Sequence, residues 1–143
     1  KVIAALFVAD RLDHLLNEVN GVVHKIKEGV TVIMDRYYFS SYAYQSVDVP
    51  IEWLIQANAQ SSSILRPAVN IFIDTDPEIA MERITKNRFD QELFEEKSRL
   101  IRVREKYLES FERFKDTERV VRIDGNRSPK EVAQDIWKAV QQI

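Results

Sequence analysis

Val69-Asn70-Ile71-Phe72-Ile73-Asp74-Thr75-Asp76-Pro77-Glu78 decides the fold of this chain. Val69 to Ile73 is an apolar, mostly β-branched or aromatic run of strand length. Asp76-Pro77 then starts a helix, with Asp as the side-chain cap and Pro in the first turn, where its missing N–H is no loss. That helix is expected to end near Thr85. A covered strand leading straight into a capped helix is one unit of an α/β domain with a parallel sheet.

The same pattern extends outward in both directions. Val30 to Met34 reads as another wholly apolar strand, and Val120 to Ile123 as a third. From Val2 to Glu28, apolar residues recur three and four apart, with Leu12, Leu15, Leu16, Val19, Val22, Val23 and Ile26 on one face of a helix. Gly21 weakens or bends that helix and Gly29 stops it. Asp48 and Pro50 open a helix through Trp53 to about Ala59, and Ser61 to Ser63 reads as a loop. A polar stretch from Lys86 to Glu92 precedes a long amphipathic helix, Leu93 to about Phe114, with Leu100, Val103, Tyr107, Leu108, Phe111 and Phe114 as its core candidates. Ser128-Pro129-Lys130-Glu131 is a capping box that begins the last helix. No linker divides the chain, so a single domain over 1–143 is expected.

Composition bounds the function. The 143 residues are 45% hydrophobic and 31% charged, with a net charge of −2 and both signs interspersed. That balance argues against a general nucleic-acid or membrane surface. No cysteine is present, which excludes a disulfide framework and a thiolate metal site. No apolar run is long enough to span a bilayer and no signal-peptide pattern appears. A cytoplasmic protein is expected.

Ligands of open parallel sheets gather at the carboxyl ends of strands. Asp35-Arg36-Tyr37 follows Val30–Met34, where a carboxylate can order Mg²⁺ and its waters and a guanidinium can grip phosphate. A strand-end salt bridge is the plainer alternative. Tyr38-Phe39-Ser40-Ser41-Tyr42-Ala43-Tyr44-Gln45 combines rings, hydroxyls and an amide, which suits a base and sugar or, equally, a packed aromatic loop. Phe7 and Arg11, four apart, share a helix face. Lys86, Arg88 and Asp90 form either a basic loop that closes over phosphates or a solvated turn. His14 and His24 lack metal-ligand spacing.

Together these segments resemble the thymidylate kinase family. The resemblance runs from Leu6-Phe7-Val8-Ala9-Asp10-Arg11, through Asp35-Arg36-Tyr37 and Ser40-Ser41-Tyr42-Ala43-Tyr44-Gln45, to Leu65-Arg66-Pro67 and Ile71–Glu78. It continues through Arg102-Val103-Arg104-Glu105-Lys106-Tyr107-Leu108 to Ile123–Glu131, in the family's order. It implies a P-loop NTPase-like parallel sheet flanked by helices, and phosphoryl transfer from ATP to dTMP with Mg²⁺. By resemblance Phe7 stacks on the thymine ring and Arg11 reaches an exocyclic oxygen. Asp35 places Mg²⁺ through water, and Arg36 grips the monophosphate and the transferring group. Ser41 and Gln45 face the base edge, and Tyr44 occupies the place of a ribose 2′-OH. Lys86 and Arg88 belong to a lid of about residues 86–92, with Arg88 among the catalytic charges. Asn126, Arg127 and Ser128 border the adenine. Relatives pair through helices, and Leu12, Leu15, Leu16, Val19 and Val23 suggest a homodimer. A sibling deoxynucleotide or nucleoside kinase, and a non-catalytic nucleotide-binding or assembly protein, are the rival readings.

One family feature has no counterpart here. No G-x-x-x-x-G-K-[ST] occurs, and the only glycines are Gly21, Gly29 and Gly125. The expected fold therefore lacks the N-terminal strand and phosphate loop. Residues 1–143 alone are expected to be inactive and to fold poorly or associate.

Overall fold

A computed structural model describes the backbone of residues 1–84 and 90–143, and all of their side chains except those of 90–95. Contacts gather the chain into two units, residues 1–66 and 67–143, each described by itself.

The first unit is helical: α1 (Val2–Leu16), α2 (Val22–Lys27), α3 (Tyr38–Gln45) and α4 (Ile51–Ile64). The single helix expected over Val2–Glu28 is in fact two. Asn17 breaks it, because its Oδ1 accepts the backbone N–H groups of Val19 and Asn20 at 3.0 and 3.2 Å and so competes with the helix. Gly21 completes the turn where a Cβ would meet the Asn17 carbonyl oxygen at 2.3 Å. Gly29 stops α2 as expected, with a φ of 81° and the paired bonds Val30 N–H to Lys25 O and Gly29 N–H to Ile26 O.

Val30–Met34 is not a strand. It runs without regular structure, and Ile33 is 93% exposed. An apolar β-branched run records a preference for the pleat, but a strand exists only when a neighbour takes its backbone groups. The rest of its unit is helical and offers none.

Two further expectations are corrected. Tyr38–Gln45, read as a possible loop, is helix α3, driven by burial of Tyr38, Phe39, Tyr42 and Ala43. Ser61 to Ser63 lie inside α4 rather than in a loop. Serine's weak helix propensity is overridden here. The Ser61 carbonyl accepts the Tyr37 hydroxyl at 3.1 Å, and the Ser62 hydroxyl donates to the Ala59 carbonyl at 3.0 Å. α1 and α3 both pack on α4. Leu15, Tyr38 and Leu54 are almost wholly buried.

The second unit contains β1 (Asn70–Asp74), α5 (Pro77–Ile84), α6 (Asp90–Arg113), β2 (Val120–Asp124) and α7 (Pro129–Val140). β1 and β2 pair in parallel, with Asn70 opposite Val120 and Asp74 opposite Asp124. This is the expected mixed α/β arrangement, with two strands described where three were expected. Asp76 caps α5, its Oδ1 accepting the Glu78 N–H at 2.8 Å. Ser128 caps α7 with the full capping box. Phe72 of β1 meets Tyr107 and Phe111 of α6, each with ring centroids 5.0 Å away, as the helix periodicity predicts.

Candidate functional site

In the first unit, three helices converge on Arg11. Its Nη2 donates to Ser41 Oγ of α3 at 3.0 Å and its Nη1 to Asn58 Oδ1 of α4. The guanidinium carbon lies 5.6 Å from the centre of the Tyr37 ring. Burial lowers the Arg11 pKa, and Tyr37, Tyr42 and Asp10 oppose that shift electrostatically. Tyr37 is itself fixed, its hydroxyl donating to the carbonyls of Ser61 and Leu65 at 3.1 and 3.2 Å. Ser41, Tyr44 and Gln45 are three and four apart on α3 and so share a face. Gln45 Oε1 is buried and has no hydrogen-bond partner among the described residues. An amide oxygen without a partner is costly unless a ligand supplies a donor.

Arg36 sits just before α3 with a φ of 67°, a left-handed conformation that costs a non-glycine residue roughly 1 kcal/mol. Its guanidinium carbon is 4.7 Å from the centre of the Tyr44 ring, and its Nη2 donates to the Tyr44 hydroxyl at 3.4 Å. Asp35 is exposed beside it. Phe7 lies one turn before Arg11 on α1 and is 51% exposed, so its ring is open to a ligand.

The second unit builds a tight loop at 124–128. The Gly125 N–H donates to the Asp74 carbonyl at 2.8 Å, and a Cβ on Gly125 would meet Thr75 Oγ1 at 2.3 Å. Arg83 of α5 donates to the carbonyls of Gly125, Asn126 and Arg127 at 2.8, 3.2 and 3.4 Å. Asn126 Oδ1 accepts the Asp76 N–H at 2.8 Å. Arg127 pairs with Asp135 and, at 3.5 Å, with Asp124. The Asp135 hydrogen bond raises its pKa. Ser128 is committed to capping α7, and its hydrogen bonds hold the Glu131 carboxyl below the usual range.

Asp74, buried at the carboxyl end of β1, is the centre of a cluster that the sequence reading did not single out. Arg104 reaches it from α6 with Nε at 2.6 Å and Nη2 at 3.0 Å. Arg122 of β2 reaches it with Nε at 2.6 Å. Burial pushes the Asp74 carboxyl up, but the hydrogen bonds from Arg104 and Arg122 outweigh it and hold the pKa below 3.8. With Asp76, Asp124 and Asn126 these residues line a polar cleft of about 330 Å³.

The family model described as thymidylate kinase matches residues 1–136. The chain belongs to the thymidylate kinase family. It is 37% identical over 140 residues to a probable thymidylate kinase of Staphylothermus marinus, covering 96% of this chain and 64% of that protein. A probable thymidylate kinase of Methanococcoides burtonii is 39% identical over 144 residues, covering 96% and 68%. A thymidylate kinase of Symbiobacterium thermophilum is 35% identical over 144 residues, covering 98% and 64%. The chain thus spans about two thirds of the length of the thymidylate kinases it matches.

Within this chain, Arg11 and Ser41 are in direct contact, as are Arg36 and Tyr44. Asn126, Arg127 and Ser128 share one loop. Lys86 and Arg88 lie outside the described residues, as does the expected lid of 86–92 apart from the backbone of 90–92. Asn58 was missed, because a lone Asn within a helix gives no signal. Asp74 and Arg104 fall within stretches that resemble the family, but only the fold joins them to Arg122. Among the described residues no helix is long and apolar enough to cross a membrane.

Proposed function

We propose that the protein carrying this sequence is a thymidylate kinase that transfers the terminal phosphoryl group of ATP to dTMP, giving dTDP and ADP. The observation that carries this reading is the Arg11 corner. A guanidinium fixed by Ser41 and Asn58, and the unpartnered Gln45 Oε1 on the same helix as Ser41, supply donors and an acceptor for a pyrimidine edge that has both carbonyl and N–H groups. Phe7 supplies an open ring for stacking on the base. Tyr44 takes the space of a ribose 2′-OH. Asn126, Arg127 and Ser128 border the adenine of the donor, and Lys86 and Arg88 bring charge to its phosphates.

The acceptor is already an anionic phosphate oxygen, so the protein contributes position and charge rather than a general base. Arg36 holds the acceptor phosphate and meets the charge that spreads over the transferring group, with Arg88 assisting. Asp35 would hold Mg²⁺ through water. One exposed carboxylate suits an ion that keeps most of its waters, and among the described residues no group of three ligating side chains forms a metal cage. Bound there, the ion would neutralise donor-phosphate charge. A homodimer through α1 is part of this reading, supported by the exposed Val2, Ile3, Leu6 and Leu16. Leu15, expected on that surface, is instead fully buried in its own chain. A cytoplasmic location and a single 1–143 domain also belong to it.

Phosphoryl transfer needs a cradle for the donor phosphates, and residues 1–143 contain no G-x-x-x-x-G-K-[ST]. On their own they therefore give no dTDP. The test is ATP-dependent dTDP formation by the full-length protein and by residues 1–143 in parallel. Turnover by the first alone is expected. Nucleotide binding without turnover by the full-length protein would turn the reading into that of a non-catalytic binding protein.

A further inference from the structure

Asn58 is completely buried in α4. A buried carboxamide is destabilising unless its hydrogen bonds are made. Here they are made at both ends. Nδ2 donates to the Leu54 carbonyl one turn earlier at 2.8 Å, and this fixes which way the amide is turned. Oδ1 is then the end that accepts from Arg11 Nη1. Ser41 Oγ takes a hydrogen bond from the other terminal nitrogen of the same guanidinium. The Tyr37 ring, tied to two backbone carbonyls, limits the remaining freedom.

Among the described residues the two acceptors that hold Arg11 are neutral, and the Asp10 carboxylate acts on it without a hydrogen bond. A carboxylate at position 58 would grip Arg11 as firmly but would cancel its charge. A carboxamide orients the guanidinium and leaves the charge intact. Among the described residues two of its five N–H donors are engaged, which leaves donors for a ligand. Arg11 is half-buried, and that partial desolvation lowers its pKa and strengthens its short-range field.

We propose that Asn58 is a positioning residue for nucleobase selection: it orients Arg11 while leaving its charge and remaining donors free for an exocyclic carbonyl oxygen of the base. This rests on the thymidylate reading of Arg11 and adds to it the residue that makes the arginine selective.

The experiment is calorimetric binding of thymidine, 2-thiothymidine and 4-thiothymidine to the full-length protein. Sulfur is a poor acceptor, so in the wild type one thio analogue should bind about tenfold more weakly, marking the oxygen that Arg11 reads. Asn58→Leu should weaken thymidine about tenfold and the marked analogue by less than about twofold. In an Arg11→Met background, Asn58→Leu should cost nothing further. Asn58→Asp supplies a second test that survives if Asn58→Leu does not fold. Its carboxylate should hold Arg11 in place but cancel its charge, so it should bind thymidine about tenfold more weakly and the marked analogue by less than about twofold. Equal losses for all three nucleosides, additive effects with Arg11→Met, no weakening with either analogue, or an Asn58→Asp protein that binds thymidine as the wild type does would each overturn the proposal. A wild-type protein that binds neither thymidine nor dTMP would overturn the thymidylate reading itself, and this proposal with it.

Discussion

Two sets of arginines in this molecule are held in opposite ways. In residues 67–143, Arg104 and Arg122 close on the carboxylate of Asp74, and Arg127 pairs with Asp135 and Asp124. In residues 1–66, Arg11 rests on an amide, a hydroxyl and a ring, and Arg36 on the ring and hydroxyl of Tyr44. A guanidinium met by carboxylates ties elements together and has little charge left to offer. One held by neutral groups is positioned yet still cationic, and that is the state a carbonyl or phosphate ligand needs. Charge alone does not separate a structural arginine from a ligand-binding one, and neutral holders do not suffice either, since Arg83 spends its donors on three backbone carbonyls of the 124–128 loop.

The sharpest way to break this contrast is Arg36→Ala in the full-length protein. Turnover of dTMP should fall about 100-fold or more, with a smaller change in KM, because its charge matters most during transfer. Normal kcat in steady-state kinetics would place Arg36 with the structural arginines.

Asp74→Ala probes the other set. It leaves Arg104 and Arg122 without their shared carboxylate, and urea unfolding should show a loss of about 2–3 kcal/mol, below the cost for a fully buried pair because both guanidiniums reach solvent. The pH dependence has a definite sign. The folded Asp74 pKa lies below 3.8, its value when free, so its contribution is complete above about pH 5 and is lost as pH falls through the folded pKa. Asp74→Asn should remove that acid-sensitive component from the unfolding curve. An unchanged acid limb would show that the cluster adds no stability.

Phe7→Ala should raise KM for dTMP about tenfold with kcat little altered, since stacking helps ground and transition states alike. An effect on kcat alone would contradict the stacking role. Ser128→Ala should cost about 1 kcal/mol by thermal unfolding, through loss of the α7 cap, and should leave base selection unchanged. Altered selection would mean that the second unit helps to read the base.

Much of this was legible from the residues. The caps of α5 and α7 and the apolar runs of β1 and β2 are local signals, and each element formed where those signals lie. The same logic failed at Val30–Met34, because a strand is a property of a pair and not of a run. It failed at Tyr38–Gln45 and Ser61–Ser63, where burial of rings and hydrogen bonding of hydroxyls overrode weak helix propensity. Arg11, Ser41 and Arg36 stand out in the sequence because they fall in stretches that resemble the family. Asn58 and the Asp74–Arg104–Arg122 cluster were not, because their meaning lies in partners 30 to 48 residues away.

The central claim is that the Arg11 corner reads a pyrimidine with carbonyl oxygens. Comparative binding of dTMP and 5-methyl-dCMP to the full-length protein tests it most directly, since the two differ only in a carbonyl against an amino group and in the protonation of the adjacent ring nitrogen. The account predicts that dTMP binds at least about tenfold more tightly than 5-methyl-dCMP, and that Arg11→Met removes most of this difference. Equal affinity for the two, or a preference for 5-methyl-dCMP, would contradict it.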